Sequence, residues 1–290
     1  MKIMVTGSSG FIAQHLIPLL QKEQHYVIGV DKRPEVHRSD KFIQADVRDL
    51  GFRDLMGVSK VIHLAFSTNI PNSIRHPKET TRDNIDMTIH LLEVCKDAEI
   101  DRLVFPSTAS LYGTNKVPWT EDMPSMPIEP YSWQKLALEY ACKLYTTQYK
   151  LPTVVLRFFQ VFGEYQRDDT ALAAFIRAKQ SGKPITLTQT TAQSSFKSGR
   201  RDFVYAGDVA EAILKACTVS TVGNGEIINI AGGKAIEMRE IAEKMKAKIK
   251  WIERRPWEVE THLADIKKAR VLLGWEAKTD VLEWVKQYAK

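Results

Sequence analysis

The sequence predicts an α/β fold: a doubly wound parallel sheet with a smaller C-terminal unit. Two observations carry this. Strand-length runs of Val, Ile and Leu alternate with helix-length patterns up to about residue 160, as expected of a sheet covered on both faces. Glycines follow the first such run and open the first helix, the place of a tight strand-to-helix turn.

Taken in order, "KIMVT" (2–6) is the first strand and a helix follows over 11–22. "YVIGVD" (26–31), "FIQAD" (42–46) and "KVIHLAF" (60–66) are the next strands. A long helix covers 77–97, "RLVFPS" (102–107) is a strand, a helix runs from Tyr131, and "TVVLRFF" (153–159) ends the alternation. Beyond it the chain is richer in Gln, Thr and Ser, with short elements. The expected division is 1–160 and 161–290, with parts of about 203–231 packing back on the first unit.

The turn after the first strand reads "VTGSSGFIAQHL". Gly7 and Gly10 take the first two positions of a G-x-x-G-x-x-G loop, and Ala13 takes the third. Glycine allows the tight turn and lets backbone N–H groups approach a pyrophosphate at the helix N-terminus. Asp31 ends the second strand, about twenty residues on, where a carboxylate suits the two ribose hydroxyls of NAD. This is the pattern expected of a Rossmann-type dinucleotide site. Lys32 and Arg33 would attract a 2′-phosphate, whereas Asp31 would repel it, so the cofactor expected is NAD.

With 44% apolar and 26% charged residues among 290, the chain can bury a sizeable core. No apolar run is long enough to cross a membrane, and no signal peptide is visible. Cys95, Cys142 and Cys217 are far apart and lack metal-ligand spacing, so neither a metal nor a disulfide framework is expected, and the protein reads as cytoplasmic. The formal charge of +6 is spread along the chain without a dense basic run, which argues against nucleic-acid binding.

"EPYSWQK" places Tyr131 four residues ahead of Lys135. Tyr112 and Lys116 repeat the spacing in "YGTNK", but turn residues separate them. After Pro130 the stretch "YSWQKLALEYACKLY" has no Gly or Pro, so Tyr131 and Lys135 share a helix face. By itself such a pair is an ordinary surface feature. His63 ends a buried strand pattern and is expected to pack or to bond backbone.

The blocks "TGSSGFI", "VIGVD", "ADVRD", "VIHLA", "PSTASLYG", "YSWQK", "LRFFQVFG", "RRDFVYAGDVAEAI" and "ADIKKARVLLGW" occur in this order. In them the chain resembles the extended short-chain dehydrogenase/reductase family, specifically its NAD-dependent nucleotide-sugar epimerases and dehydratases. The resemblance implies a cofactor site of Gly7, Gly10, Phe11, Ile12, Asp31, Lys32, Asp46, Val47, Leu64, Ala65, Phe66, Asn84, Tyr131, Lys135 and Phe159. It also implies that Tyr131 is the acid/base, with Thr108 bonding the reacting oxygen and Ser107 a weaker candidate. A free phenol has a pKa of about 10; a nearby ammonium and the nicotinamide charge are expected to lower it.

Dehydratases of this family carry an Asp-Glu pair just after the Thr, and the decarboxylases also place a Glu there. Here those positions hold Ala109 and Ser110, which cannot do that acid/base work. What remains is a 4-epimerase or a 4-keto-sugar reductase. "IPNSIRHPKETTRDN" resembles the epimerases, so the expected activity is C4 epimerisation of a nucleotide sugar, UDP-glucose/UDP-galactose or their N-acetyl forms. A non-catalytic binding protein on the same fold is disfavoured because Thr108, Tyr131 and Lys135 are all kept.

Substrate binding is expected in the second unit. Arg201 in "RRDF" matches the arginine that grips the nucleotide diphosphate; the plainer reading is a surface Arg paired with Asp202. Gln160 replaces the usual Asn, Glu164 and Tyr165 replace Pro-Arg, and the polar loop 189–199 is long. A homodimer through 77–97 and 131–149 is implied as well.

Overall fold

The computed structural model describes residues 1–189, 198–253 and 259–289. Twelve strands lie among them: β1 (Lys2–Thr6), β2 (Tyr26–Asp31), β3 (Lys41–Gln44), β4 (Lys60–His63), β5 (Arg102–Thr108), β6 (Thr153–Phe158), β7 (Gln160–Phe162), β8 (Ile185–Gln189), β9 (Arg200–Tyr205), β10 (Asn224–Ile230), β11 (Ala235–Glu237) and β12 (Ile249–Glu253). Seven form one sheet in the order β10-β6-β5-β4-β1-β2-β3, parallel at every pairing. The expected doubly wound sheet is the observed one. Its strand order reverses between β1 and β4, and the crevice at the strands' C-terminal ends there is where such sheets bind ligands.

Successive side chains of a strand point to opposite faces. Ile3 and Val5 of β1 join a core with the helices Phe11–Lys22 and Ala206–Thr218. Met4 joins the other core, under the helices Met87–Asp97 and Pro130–Tyr149. Both faces are thus buried, and so the strands read as continuous apolar runs. A smaller cluster around Phe162, Phe175, Phe203 and Ile236 unites the three-stranded sheet β11-β9-β7 and the pair β12-β8 with helix Ala171–Gln180.

Three elements differ from expectation. β3 stops at Gln44 because Asp46 turns the chain into a short 3-10 helix, its carboxylate accepting from the Arg48 N–H at 2.9 Å. β4 stops at His63, and the chain from Leu64 leaves the sheet. The 77–97 helix contains a π-helical turn, Arg82–Asp86, flanked by α-helical Pro77–Thr81 and Met87–Asp97; such turns often mark functional sites. No helix among the described residues is long and apolar enough to cross a membrane.

Candidate active site

The turn after β1 is shaped for close backbone approach. Gly7 has φ +68°, and a Cβ there would lie 2.6 Å from the Ala65 nitrogen, so no side chain fits. A Cβ on Gly10 would sit 2.9 Å from the Gly7 carbonyl oxygen. Helix Phe11–Lys22 then opens with no side-chain cap, leaving its first N–H groups toward the crevice. At the end of β2, Asp31 accepts from Ser9 N–H at 3.1 Å and Arg33 N–H at 2.9 Å, and pairs with the Arg33 guanidinium at 3.2 Å. Burial pushes its carboxyl up, but these bonds outweigh burial and hold it below the usual range.

These residues border a cavity of about 760 Å³, within the roughly 300–1,000 Å³ of small-molecule sites. Lys32, Asp46, Val47, Leu64, Ala65, Phe66 and Asn84 line it, together with Thr108, Tyr131, Lys135, Phe159 and Gln160. Its acidic lining is Asp31, Asp46 and Asp83, each paired with an arginine. Arg48 holds Asp46 down to about 2. No carboxylate stands at Ala109 or Ser110, which lie in a short 3-10 turn beyond β5.

Tyr131 enters the cavity from the first turn of its helix. Pro130 suits that first turn, and the Glu129 carboxylate caps it, accepting from Ser132 N–H at 3.0 Å. Thr108 ends β5; its hydroxyl accepts from Ser110 N–H and donates to Ser110 Oγ, both at 3.2 Å. Burial pushes the Tyr131 phenol up to about 12, against the pull of Thr108 and the charge of Arg167. The stem of Lys135 carries Nζ to the Pro106 carbonyl oxygen at 2.7 Å and over the Phe66 ring, 3.4 Å from the centroid. Burial pushes the ammonium down to about 7.

A second, smaller cavity of about 160 Å³ is lined by Gln160, Phe175, Leu187, Thr188 and Arg201. Gln160 borders both cavities. Arg201 donates to the Arg200 and Glu260 carbonyl oxygens at 2.8 and 3.3 Å. The carboxylate of Asp202 points elsewhere, buried and accepting from Gly233 and Ala264 N–H at 3.0 Å each. Of the long loop 189–199, residues 190–197 lie outside the described residues.

Residues 3–231 match the NAD dependent epimerase/dehydratase family. The chain belongs to that family. It is 31% identical to a UDP-glucuronate 4-epimerase of Thermodesulfobacterium geofontis over 98% of this chain and 94% of that one. It is 30% identical to a UDP-glucose 4-epimerase of Streptococcus mutans over 98% and 94%. A UDP-glucuronic acid 4-epimerase of Bacillus cereus, solved with UDP-glucuronic acid and NAD, superposes with TM-score 0.89 at 29% identity, covering 100% of this chain and 99% of that chain. The glycine turn, too tight for any Cβ at Gly7, and the carboxylate of Asp31 fit the dinucleotide after which the family is named.

In the cavity and behind its wall the structure adds residues that sequence reasoning missed. Arg167 lines the cavity, pairs with Asp169 at 3.0 Å and bonds Thr68. Gln134, fully buried between Tyr131 and Lys135 in sequence, accepts from Asn84 Nδ2 at 2.7 Å and donates to Thr80 and Thr81. Asn84 in turn accepts from Ser67 N–H and donates to Ser67 O, at 2.8 and 3.1 Å. Arg157 and Glu139 form a buried two-pronged pair at 2.9 and 2.7 Å. For Arg157 and Glu139 the signal was a charged residue in an apolar pattern, "TVVLRFF" and "KLALEYA"; Gln134 and Arg167, in the polar stretches "EPYSWQK" and "EYQRDD", gave none. His63 is buried and packs as expected, stacked on Phe105 with ring centroids 6.1 Å apart; its hydrogen-bond partners are the hydroxyls of Thr6 and Thr88, at 2.7 and 3.0 Å.

Proposed function

We propose that this protein is an NAD-dependent 4-epimerase of a nucleotide sugar, UDP-glucose/UDP-galactose or their N-acetyl forms, working through a transient 4-keto intermediate. One observation carries the reading: Thr108, Tyr131 and Lys135 meet in the cavity bordered by the glycine turn, with no carboxylate at 109 or 110 to expel water. NAD, when bound, accepts and returns the hydride. Tyr131 takes the proton of the sugar 4-hydroxyl and gives it back, and Thr108 holds the reacting oxygen. Asp31 holds the adenosine ribose, Lys135 the nicotinamide ribose. Arg201 and Gln160, joined through the second cavity, hold the nucleotide diphosphate. Relatives named for UDP sugars support that choice of nucleotide.

The cofactor part corresponds to 1–160 and the substrate part to most of 161–290, with α-helical 206–218 and β10 packed on the main sheet. The protein is proposed to be cytoplasmic and a homodimer. Trp133, Tyr140 and Leu144 on the outer face of the Tyr131 helix are about half exposed or more, at 48%, 70% and 50%, an apolar stripe that a second copy would cover. The test is incubation of UDP-glucose, UDP-N-acetylglucosamine and UDP-glucuronate with enzyme and catalytic NAD, followed by NMR. The C4 epimer of at least one is expected. No epimer, with stoichiometric NAD(P)H consumption on a 4-keto sugar, would establish a reductase instead.

A further inference from the structure

We propose that Phe66 is a positioning residue for the Tyr131–Lys135 pair: its ring face carries the Lys135 ammonium, and the same ring packs across that of Tyr131.

Lys135 is 3% exposed, and an ammonium has three donors to satisfy. Among the described residues its one hydrogen-bond acceptor is the Pro106 carbonyl. Glu139, one turn further along the helix, is taken by both prongs of Arg157. A buried cation with a single protein acceptor is costly, and the ribose proposed above would add acceptors only with NAD bound. Aromatic faces offset part of that cost, and two are at hand. The Phe66 centroid is 3.4 Å from Nζ and the Phe105 centroid 4.5 Å. Phe105 is a fully buried core residue of β5. Phe66 lies in the loop after β4, lines the cavity, and meets the Tyr131 ring at 6.0 Å and 75°.

The loop is registered to the same helix as the pair it serves. Ser67, next to Phe66, exchanges two hydrogen bonds with Asn84, and Asn84 bonds Gln134 of the Tyr131 helix. The ring therefore keeps its place relative to Tyr131 and Lys135. The charged or titratable groups bearing on Lys135 are Glu139 and Cys142 from its own helix, His63 from β4, and Arg157 from β6 through Glu139. None of them is a free carboxylate, so beyond the Pro106 carbonyl oxygen at 2.7 Å the nearest stabiliser of the charge is the Phe66 ring.

This inference rests on the epimerase reading, and its test separates the two. Pentafluorophenylalanine in place of Phe66 keeps the ring's shape and removes its negative face. Lys135 is titrated by ¹³C NMR of its ε-carbon in the purified protein. The midpoint is expected to fall by about one pH unit, the scale of a desolvated cation–π contact. The alkaline limb of the kcat profile should move the same way, and Phe66→Tyr, which keeps a ring face, should leave the midpoint in place. An unchanged midpoint in the fluorinated protein overturns the proposal. So does a moved midpoint with an unmoved kcat limb, since Phe66 would then hold the charge without serving the reaction. Wild-type protein inactive on every UDP sugar sinks the epimerase reading, while the NMR titration still judges the contact.

Discussion

Tyr131 and Lys135 lie one turn apart on one helix, yet the Lys135 Nζ bonds the Pro106 carbonyl oxygen at 2.7 Å and the Tyr131 phenol is held at about 12 by burial. The i,i+4 spacing brings the two side chains to the same wall of the cavity, and packing against Phe66 and Phe105 decides where the ammonium ends. Of the charges bearing on the phenol, Glu129 raises it and Arg167 lowers it; Arg167 comes from a loop 36 positions later in the chain. A further positive charge brought against the phenol would lower it more.

Tyr131→Phe is expected to lower turnover by about 10²–10⁴-fold, the usual contribution of a positioned acid/base, with NAD affinity unchanged. Lys135→Met is expected to lose both turnover and NAD affinity. Steady-state rates and cofactor titration decide; near-normal turnover in Tyr131→Phe removes the proposed acid/base.

Asp31 is expected to make the wild-type protein prefer NAD to NADP, because its carboxylate stays ionised and would face the 2′-phosphate. Asp31→Ala should narrow the preference, since Lys32 and Arg33 remain. Fluorescence titration with both cofactors measures this, and equal wild-type affinities would contradict it.

Arg201→Ala is expected to weaken UDP binding by about 1.5–3 kcal/mol, the scale of hydrogen bonds to a charged group. Calorimetric titration with UDP reads it directly. Unchanged affinity would assign Arg201 to its carbonyl contacts alone.

His63 predicts an acid-side loss of stability. Its native pKa is pushed down to about 3, by burial first and then by the Lys135 charge, against about 6.5 when unfolded. Its contribution is complete above about pH 6.5 and is lost as pH falls toward about 3, because the unfolded chain binds a proton there that the native one does not. His63→Gln should make stability against pH shallower in that window, by up to about 1.4 kcal/mol per pH unit. Urea unfolding at pH 7 and pH 4.5 measures the slope; an identical slope would show that His63 titrates normally.

What the sequence alone determined was local in origin. The strand-length apolar runs, the glycines opening the first helix, Asp31 at a strand end and the Tyr131/Lys135 helix face all follow from periodicity and turn chemistry within short windows. Tertiary structure decided what depends on distant neighbours. β10, from 224–230, completes the main sheet beside β6, a pairing that no short window contains. The end of β4 at His63, the π-turn holding Asn84 against Ser67, and the junction of the two cavities at Gln160 arise where separate segments compete for the same backbone groups and volume. The direction of Lys135 belongs with these. A four-carbon stem leaves its helix with many rotamers open, and only the surrounding rings and the Pro106 carbonyl select one.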